Sequence, residues 1–270
     1  MAAGVIIDVE EVKNLQLEVL QAIHSFCDSR KIPYSMACGT MLGAVRHKGY
    51  IPWDDDIDIY LLRDDYKRLV SEFPEKYEGR FELISLERNQ KWDRPYAKAF
   101  DNRTHVQENA YCSVKIGVGI DIYPIDDVPD DEEEWKRYDK RRRLIQKALS
   151  IKRMRYTKGR GLRKNLLMFV LKIPVLFVSR RHFAEYIDSY SQKNNNKGYN
   201  SVFECVQGLL QKNKFCKKEF QSLSLYAFED REFYGFSDYD SYLRCGYGDY
   251  MQLPPIEKRV IHHDYIASWI

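Results

Sequence analysis

A chain of 270 residues with 44% hydrophobic and 31% charged side chains is long enough to bury a full core and too apolar to be a disordered tail. Its net charge of +3 is small, but seven acids fall within residues 126–134, and residues 136–164 carry fourteen lysines and arginines against the single acid Asp139. That layout excludes an evenly neutral surface and predicts one face that meets an anionic partner: a membrane surface, a phosphate-bearing polymer or a nucleic acid. Nucleic acid is the least expected of these, because only Tyr138 and Tyr156 interleave the basic stretch. The cysteines at 27, 38, 112, 205, 216 and 245 include no C-x-x-C pair, which argues against a zinc knuckle or redox pair and for reduced thiols in a cytoplasmic protein. The opening MAAGVIIDVEEV lacks the basic start and apolar run of a secretory signal.

In chain order, residues 8–29 predict a helix, with Asp8 as N-cap and Val9, Val12, Leu15, Val19, Ile23 and Phe26 on one face. IPYSMAC reads as a short strand and TMLGAVRHKG as a helical turn ending at Gly49. DIDIYLL reads as a strand, and RDDYKRLVSEF as a helix that stops before Pro74. FELISLE, YAKAF and GIDIYPI follow as strands. From Glu132 to about Asn194 the pattern is helical, broken at Gly159, Gly161 and Pro174. NNNKG at 194–198 is a loop, and the tail mixes a strand near SVFECV with short, tyrosine-rich helices. Within the helical region LLMFVLKIPVLFV, residues 166–178, is too short to span a bilayer, which takes roughly 20 apolar residues. Two readings stand: a buried helix, or a segment lying in the plane of an anionic membrane between Arg163–Lys164 and Arg180–Arg181.

The most informative stretch is GTMLGAVRHKGYIPWDDDIDIY, residues 39–60. In a strand, successive side chains alternate between faces, so Asp56 and Asp58 share one face while Ile57 and Ile59 enter the core. Asp54 extends the row if the strand starts early. Carboxylates this close repel unless a cation lies among them, and a short row of hard oxygen ligands suits Mg²⁺, with Mn²⁺ as the alternative. An EF-hand is excluded because Ile59 stands where the loop needs glycine, and the twelfth position is Asp65. A glycosidase pair is disfavoured because same-strand acids are too coupled for separate acid and base roles. A solvated acidic loop has no need of alternating isoleucines. Asp121, between Ile120 and Ile122, completes a three-carboxylate cluster if its strand lies beside DIDIY.

G-T, then D-h-D-h, then a later h-D-h resembles the nucleotidyltransferase fold of the polymerase-beta type. The resemblance implies acids holding Mg²⁺ on a nucleotide's phosphates, with Gly39 and Thr40 opening the helix that faces them. GTMLGAVRHKGYIPWDDDIDI is more specific: it resembles the LicD family signature, and KAFDNRT (98–104), VGIDIYPID (118–126) and YGDYMQLPPIEKRVIHH (247–263) are similar to further family stretches. Members are phosphotransferases that move phosphocholine from CDP-choline to cell-surface glycans. The resemblance implies metal ligands at Asp56, Asp58 and Asp121, with Asp54 and Asp55 alongside. It implies diphosphate contacts at Arg46 and Lys98, for which surface charge is the bland alternative. It further suggests acceptor-side groups at His47, His262 and His263, and Asp101 and Thr104 either orienting Lys98 or touching substrate. Trp53, with Tyr50 and Tyr60, stands beside the acids, where aromatic faces suit choline's quaternary ammonium.

The fold class expected is α+β: a nucleotidyltransferase-like mixed sheet with helices, then a largely helical second half. The expected divisions are 1–130 as catalytic core, 131–197 as a basic region for membrane or acceptor, and 198–270 packing back to complete the site. The function expected is CDP-choline-dependent transfer to a teichoic acid or lipopolysaccharide-type glycan at the inner membrane face, where such precursors are lipid-linked. The alternatives are a nucleotidyltransferase, a transferase of another phospho-alcohol such as ribitol phosphate, and a non-catalytic polymer- or membrane-binding module.

Overall fold

The computed structural model describes residues 4–108, 114–153, 161–207, 214–260 and 265–270. In chain order the elements are α1 (Val9–Arg30), β1 (Ser35–Met36), α2 (Cys38–Arg46), β2 (Asp58–Leu62), α3 (Arg63–Glu72), β3 (Phe81–Ile84), β4 (Ala97–Asp101), β5 (Thr104–Glu108), β6 (Gly119–Val128), α4 (Glu132–Arg153), α5 (Leu162–Lys172), α6 (Arg180–Gln192), β7 (Ser201–Phe203), β8 (Phe215–Cys216), β9 (Leu223–Phe228), β10 (Arg231–Phe236), α7 (Tyr239–Tyr247) and β11 (Tyr265–Trp269). This is a mixed α+β architecture.

β6 is the spine. Nine of its ten residues are buried, Asp121 being the half-buried one, and a strand hidden on both faces must sit mid-sheet. The sheet runs β1-β2-β6-β4-β3, with β7 on the far half of β6 and β8 beyond it. β2 and β6 are parallel, and the other pairs of this sheet are antiparallel. The main core joins Leu20, Ile23 and Phe26 of α1 to Ile59 and Leu61 of β2, Ile120 and Ile122 of β6, and Phe228, Phe233 and Phe236 of the β9–β10 hairpin. Trp135 and Tyr138 anchor α4 on Tyr190 and Phe203, with Tyr138 stacked on Tyr190 at 5.0 Å.

The predicted helix at 8–29 is α1, and the Asp8 carboxylate accepts the Glu11 N–H at 2.9 Å as an N-cap should. The strand foreseen at 56–62 begins at Asp58. Its lead-in residue Ile57 is already tied to β6 through its carbonyl, which accepts the Asp121 N–H at 3.0 Å. The largely helical second half holds as far as α6 and fails beyond it. The tail forms β7 to β11, with α7 as its tyrosine-bearing helix. The hairpin turn is made by Glu229 at φ 57, whose N–H donates to the Lys48 carbonyl at 2.8 Å. β11 pairs antiparallel with β5, far upstream in the chain. Among the described residues, no helix is long and apolar enough to cross a membrane.

One buried ion pair ties three elements together. Arg63, the first residue of α3, grips both oxygens of Asp126 on β6 at 2.8 and 2.6 Å and donates to Asp188 of α6 at 2.7 Å. Asn195 adds a bond to Asp126 at 2.7 Å. Asp126 has no solvent exposure, so removing Arg63 strands a buried charge. Arg63→Ala is expected to lower unfolding free energy by about 3–5 kcal/mol, measured by urea denaturation.

Candidate active site

The parallel pairing of β2 and β6 sets Asp58 directly opposite Asp121. The Thr40 hydroxyl oxygen accepts the Asp58 N–H at 2.8 Å, so the first turn of α2 fixes the start of β2. Gly39 lies so close to Asp54 that a Cβ there would displace the Asp54 carboxylate. Asp54, Asp55, Asp56, Asp58 and Asp121 line one cavity of about 1010 Å³. Gly39, Arg46, Trp53, Arg94 and Lys98 share its wall, as do Tyr96, Tyr123, Tyr247, Tyr250 and Tyr265.

The charge inside is strongly unbalanced. Burial raises the Asp58 pKa well above its ordinary value, and the charges of Asp56, Asp121 and Asp54 raise it further. Lys98, opposite Asp121 in the β4–β6 register, donates to Asp121 Oδ1 at 2.7 Å. Burial pulls the Lys98 pKa down, but the charge and hydrogen bond of Asp121 outweigh it, so the lysine is held cationic. Tyr123 donates to the other oxygen of Asp121 at 3.4 Å. Arg94 is ion-paired with Glu108 across the cavity wall. Arg46 donates to the Tyr250 carbonyl at 2.6 Å and to His47 Nε2 at 2.9 Å. Burial and then the Arg46 charge lower the His47 pKa, which leaves the ring neutral at pH 7.

The structure gathers Asp54, Asp56, Asp58, Asp121, Gly39, Arg46, Trp53 and Lys98 around one cavity. Thr40 is buried beneath it, bonded to β2. His47 sits behind Arg46, edge-on to Trp53 at 6.2 Å. Asp101 is a correction: it lies three residues along β4 from Lys98, and an odd spacing turns it to the opposite face. There it is fully buried and held by Arg80 and Arg103, whose hydrogen bonds outweigh burial and lower its pKa. Thr104 likewise bonds backbone, donating to the Asp101 carbonyl and accepting the Val118 N–H. His262 and His263 lie outside the described residues. Arg94, Glu108, Tyr96 and Tyr265 went unread in the sequence. Arg94, Tyr96 and Lys98 recur at every second residue, and that alternation was the available signal.

Among the described residues, no three carboxylate, imidazole or thiolate groups are gathered closely enough to hold a metal ion by themselves. Asp121 is drawn onto Lys98 instead. The donor set nonetheless fits Mg²⁺, which commonly takes one or two carboxylates and completes its shell with water and substrate phosphates. Burial, and then the charges of Asp56, Asp121 and Asp54, raise the Asp58 pKa, and a cation in the cavity would oppose that shift.

A mixed sheet that sets acids from two parallel strands in one cavity accords with the family to which the chain belongs. Residues 31–163 match the family model described as LicD/FKTN/FKRP, nucleotidyltransferase domain. Over 249 residues the chain is 30% identical to the lipopolysaccharide cholinephosphotransferase LicD of Haemophilus influenzae, and the alignment covers 92% of each protein. Shorter matches join it to uncharacterized proteins of two Rickettsia species. One, from Rickettsia typhi, is 36% identical over 69 residues, 24% of this chain and 22% of that protein. The other, from Rickettsia prowazekii, is 37% identical over 71 residues, 26% of each. The chain is thus a member of the LicD family.

Asp58→Asn removes one of the crowded charges. It is expected to stabilise the metal-free protein by about 0.5–2 kcal/mol while disabling the site, the usual trade at a strained functional position. Because folding raises the Asp58 pKa, the wild type loses stability as pH rises above the ordinary value of 3.8 towards the folded-state value. The advantage of the asparagine variant should therefore grow as pH rises above 3.8 towards the folded-state value and fade as pH falls towards 3.8, read by thermal unfolding of both proteins across pH.

Proposed function

We propose that the chain is a Mg²⁺-dependent phosphotransferase that moves phosphocholine from CDP-choline to a hydroxyl of a lipopolysaccharide- or teichoic-acid-type glycan precursor at the cytoplasmic membrane face, releasing CMP. The observation that carries this reading is the end-to-end likeness to a protein named a lipopolysaccharide cholinephosphotransferase. The cavity offers the matching chemistry. On this reading the mixed sheet is nucleotidyltransferase-like, in keeping with the family description.

Asp56, Asp58 and Asp121, with Asp54 beside them, are the residues that would hold Mg²⁺. When bound, the ion would supply positive charge to the diphosphate and to departing CMP. Lys98, Arg46 and Arg94 line the same wall and are the proposed contacts for the diphosphate oxygens. The start of α2, at Gly39 and Thr40, presents backbone N–H groups suited to an anion. Asp121 is the proposed acceptor of the attacking hydroxyl's proton. The oxygen–phosphorus bond to the glycan forms on the choline-side phosphorus as the bridging bond to CMP breaks. Choline's ammonium cannot donate a hydrogen bond, so aromatic faces would hold it, each worth ~0.5–2 kcal/mol. Trp53, Tyr96, Tyr123, Tyr247, Tyr250 and Tyr265 supply such faces in the cavity lining.

Purified protein given choline-labelled CDP-choline and either glycan acceptor should yield CMP and labelled glycan, and chelation should stop the reaction. Asp58→Ala should reduce turnover below detection with the fold retained. Lys98→Met should lower kcat by about 10²-fold, the scale of removing one preorganised donor. Pyrophosphate release from a nucleoside triphosphate, without transfer from CDP-choline, would instead identify a nucleotidyltransferase. Transfer unaffected by Asp58→Ala would remove the metal assignment.

A further inference from the structure

Most of the described apolar side chains in the run at 166–178 are exposed, Val175 being its buried member. Leu166, Leu167, Phe169 and Val170 on α5 are 53–66% exposed, and beyond the helix Leu176 is 50% and Phe177 96% exposed. At 100° per residue the four helix positions span an arc of about 160°, too broad for an ordinary solvated helix face. The run is too short to cross a bilayer and too apolar to face water without a partner.

The charge around it identifies the partner. From Lys140 to Ala184 the chain has no aspartate or glutamate and fifteen lysines and arginines. Some of these serve the fold. Arg142 is buried against Asp139, Arg180 pairs with Asp93 at 2.9 Å, and Arg181 donates to the carbonyls of Leu86, Asn89 and Trp92. Lys140 and Lys147 on α4, the helix whose Lys152 holds the end of the ridge, and Arg163 on α5 remain exposed. Two copies meeting through this face would bring like charges together, whereas an anionic lipid surface accepts both the apolar side chains and the cations. We propose that residues 166–177 lie in the plane of an anionic bilayer, with Leu166, Leu167, Phe169, Val170, Leu176 and Phe177 among the acyl chains and the flanking cations on the headgroups.

The same contacts set where the cavity stands relative to the lipid. Lys152 donates to the carbonyls of Val175 and Leu176, fastening the end of the ridge to α4. Arg180 and Arg181 fasten the next residues to the 86–93 loop, which runs directly into Arg94, Tyr96 and Lys98 of the cavity wall. A protein seated by this ridge holds its cavity at a fixed distance from the membrane. This seating on lipid is independent of which group the cavity transfers.

The test is co-sedimentation of the full-length protein with vesicles of phosphatidylglycerol and phosphatidylcholine, and with phosphatidylcholine alone. Binding is expected to the anionic vesicles and to weaken as salt rises from about 0.05 to about 0.5 M. Leu167→Glu with Phe177→Glu should weaken it at least tenfold, with circular dichroism and thermal unfolding unchanged. Lys147→Glu with Arg163→Glu should weaken it less and flatten the salt dependence. Three results would overturn the proposal: no wild-type binding to anionic vesicles, equal binding by the Leu167/Phe177 variant, or a wild-type dimer in solution that this variant dissolves while vesicle binding persists.

Discussion

Everything in this protein is arranged around acids that two parallel strands force together. β2 and β6 meet in a register that leaves Asp58 and Asp121 no choice but to be neighbours, and the chain adds Asp54 and Asp56 just before the strand. The other end of the same strand pair shows what a purely structural solution looks like. There Asp126 is buried completely and receives a bidentate arginine, a second hydrogen bond donor and no surplus charge. At the cavity end Lys98 is bonded to Asp121, and burial, then the charges of Asp56, Asp121 and Asp54, raise the Asp58 pKa against the opposing charge of Lys98. The fold that neutralises a carboxylate so fully at one end turns five aspartates towards one cavity at the other.

Much of this was legible because it rests on period-two alternation. Ile57, Asp58, Ile59 and Ile120, Asp121, Ile122 spell out which side faces the core and which faces the cavity, so adjacent strands imply adjacent acids. The same rule, followed further along β4, would have removed Asp101, whose odd spacing from Lys98 turns it away. α1 was readable for a similar reason, since its cap and its apolar stripe are both local. The fate of residues 166–178 was not readable. An apolar run looks alike whether it is covered by protein or left bare, and only the packing of its neighbours distinguishes the two.

In the tail the strand near SVFECV and the tyrosine-rich helix were legible, and β8 to β11 were missed because they depend on distant pairing. β11 is a strand through its register with β5, from Tyr265 opposite Glu108 to Trp269 opposite Thr104. The β9–β10 turn is stabilised by a backbone bond to Lys48 and by Glu229 accepting the Tyr50 N–H at 2.9 Å. Its turn residue is a glutamate in the left-handed region, which carries none of the Asn-Gly signal that marks a hairpin. Long-range contacts decide such segments, and local propensity is a weak guide to them.

Those distant contacts also explain why the acids need the C-terminal segment. α2 begins at Cys38 with φ 49, a conformation that costs energy for any residue but glycine. Ala37, its N-cap, offers no side-chain hydrogen bond, so the first N–H groups need partners from elsewhere. The hydroxyl of Tyr242 in α7 accepts the Cys38 N–H at 2.9 Å, and the Cys38 thiol lies 3.0 Å from the Tyr60 hydroxyl of β2. The next two residues are Gly39, which leaves room for Asp54, and Thr40, which receives the Asp58 N–H. A tyrosine some two hundred residues downstream thus holds the strained helix start from which two of the acids take their positions. Phenylalanine at 242 would fill the same volume and leave that N–H buried without its acceptor, so the oxygen is the part of the side chain on which the geometry of the acids depends.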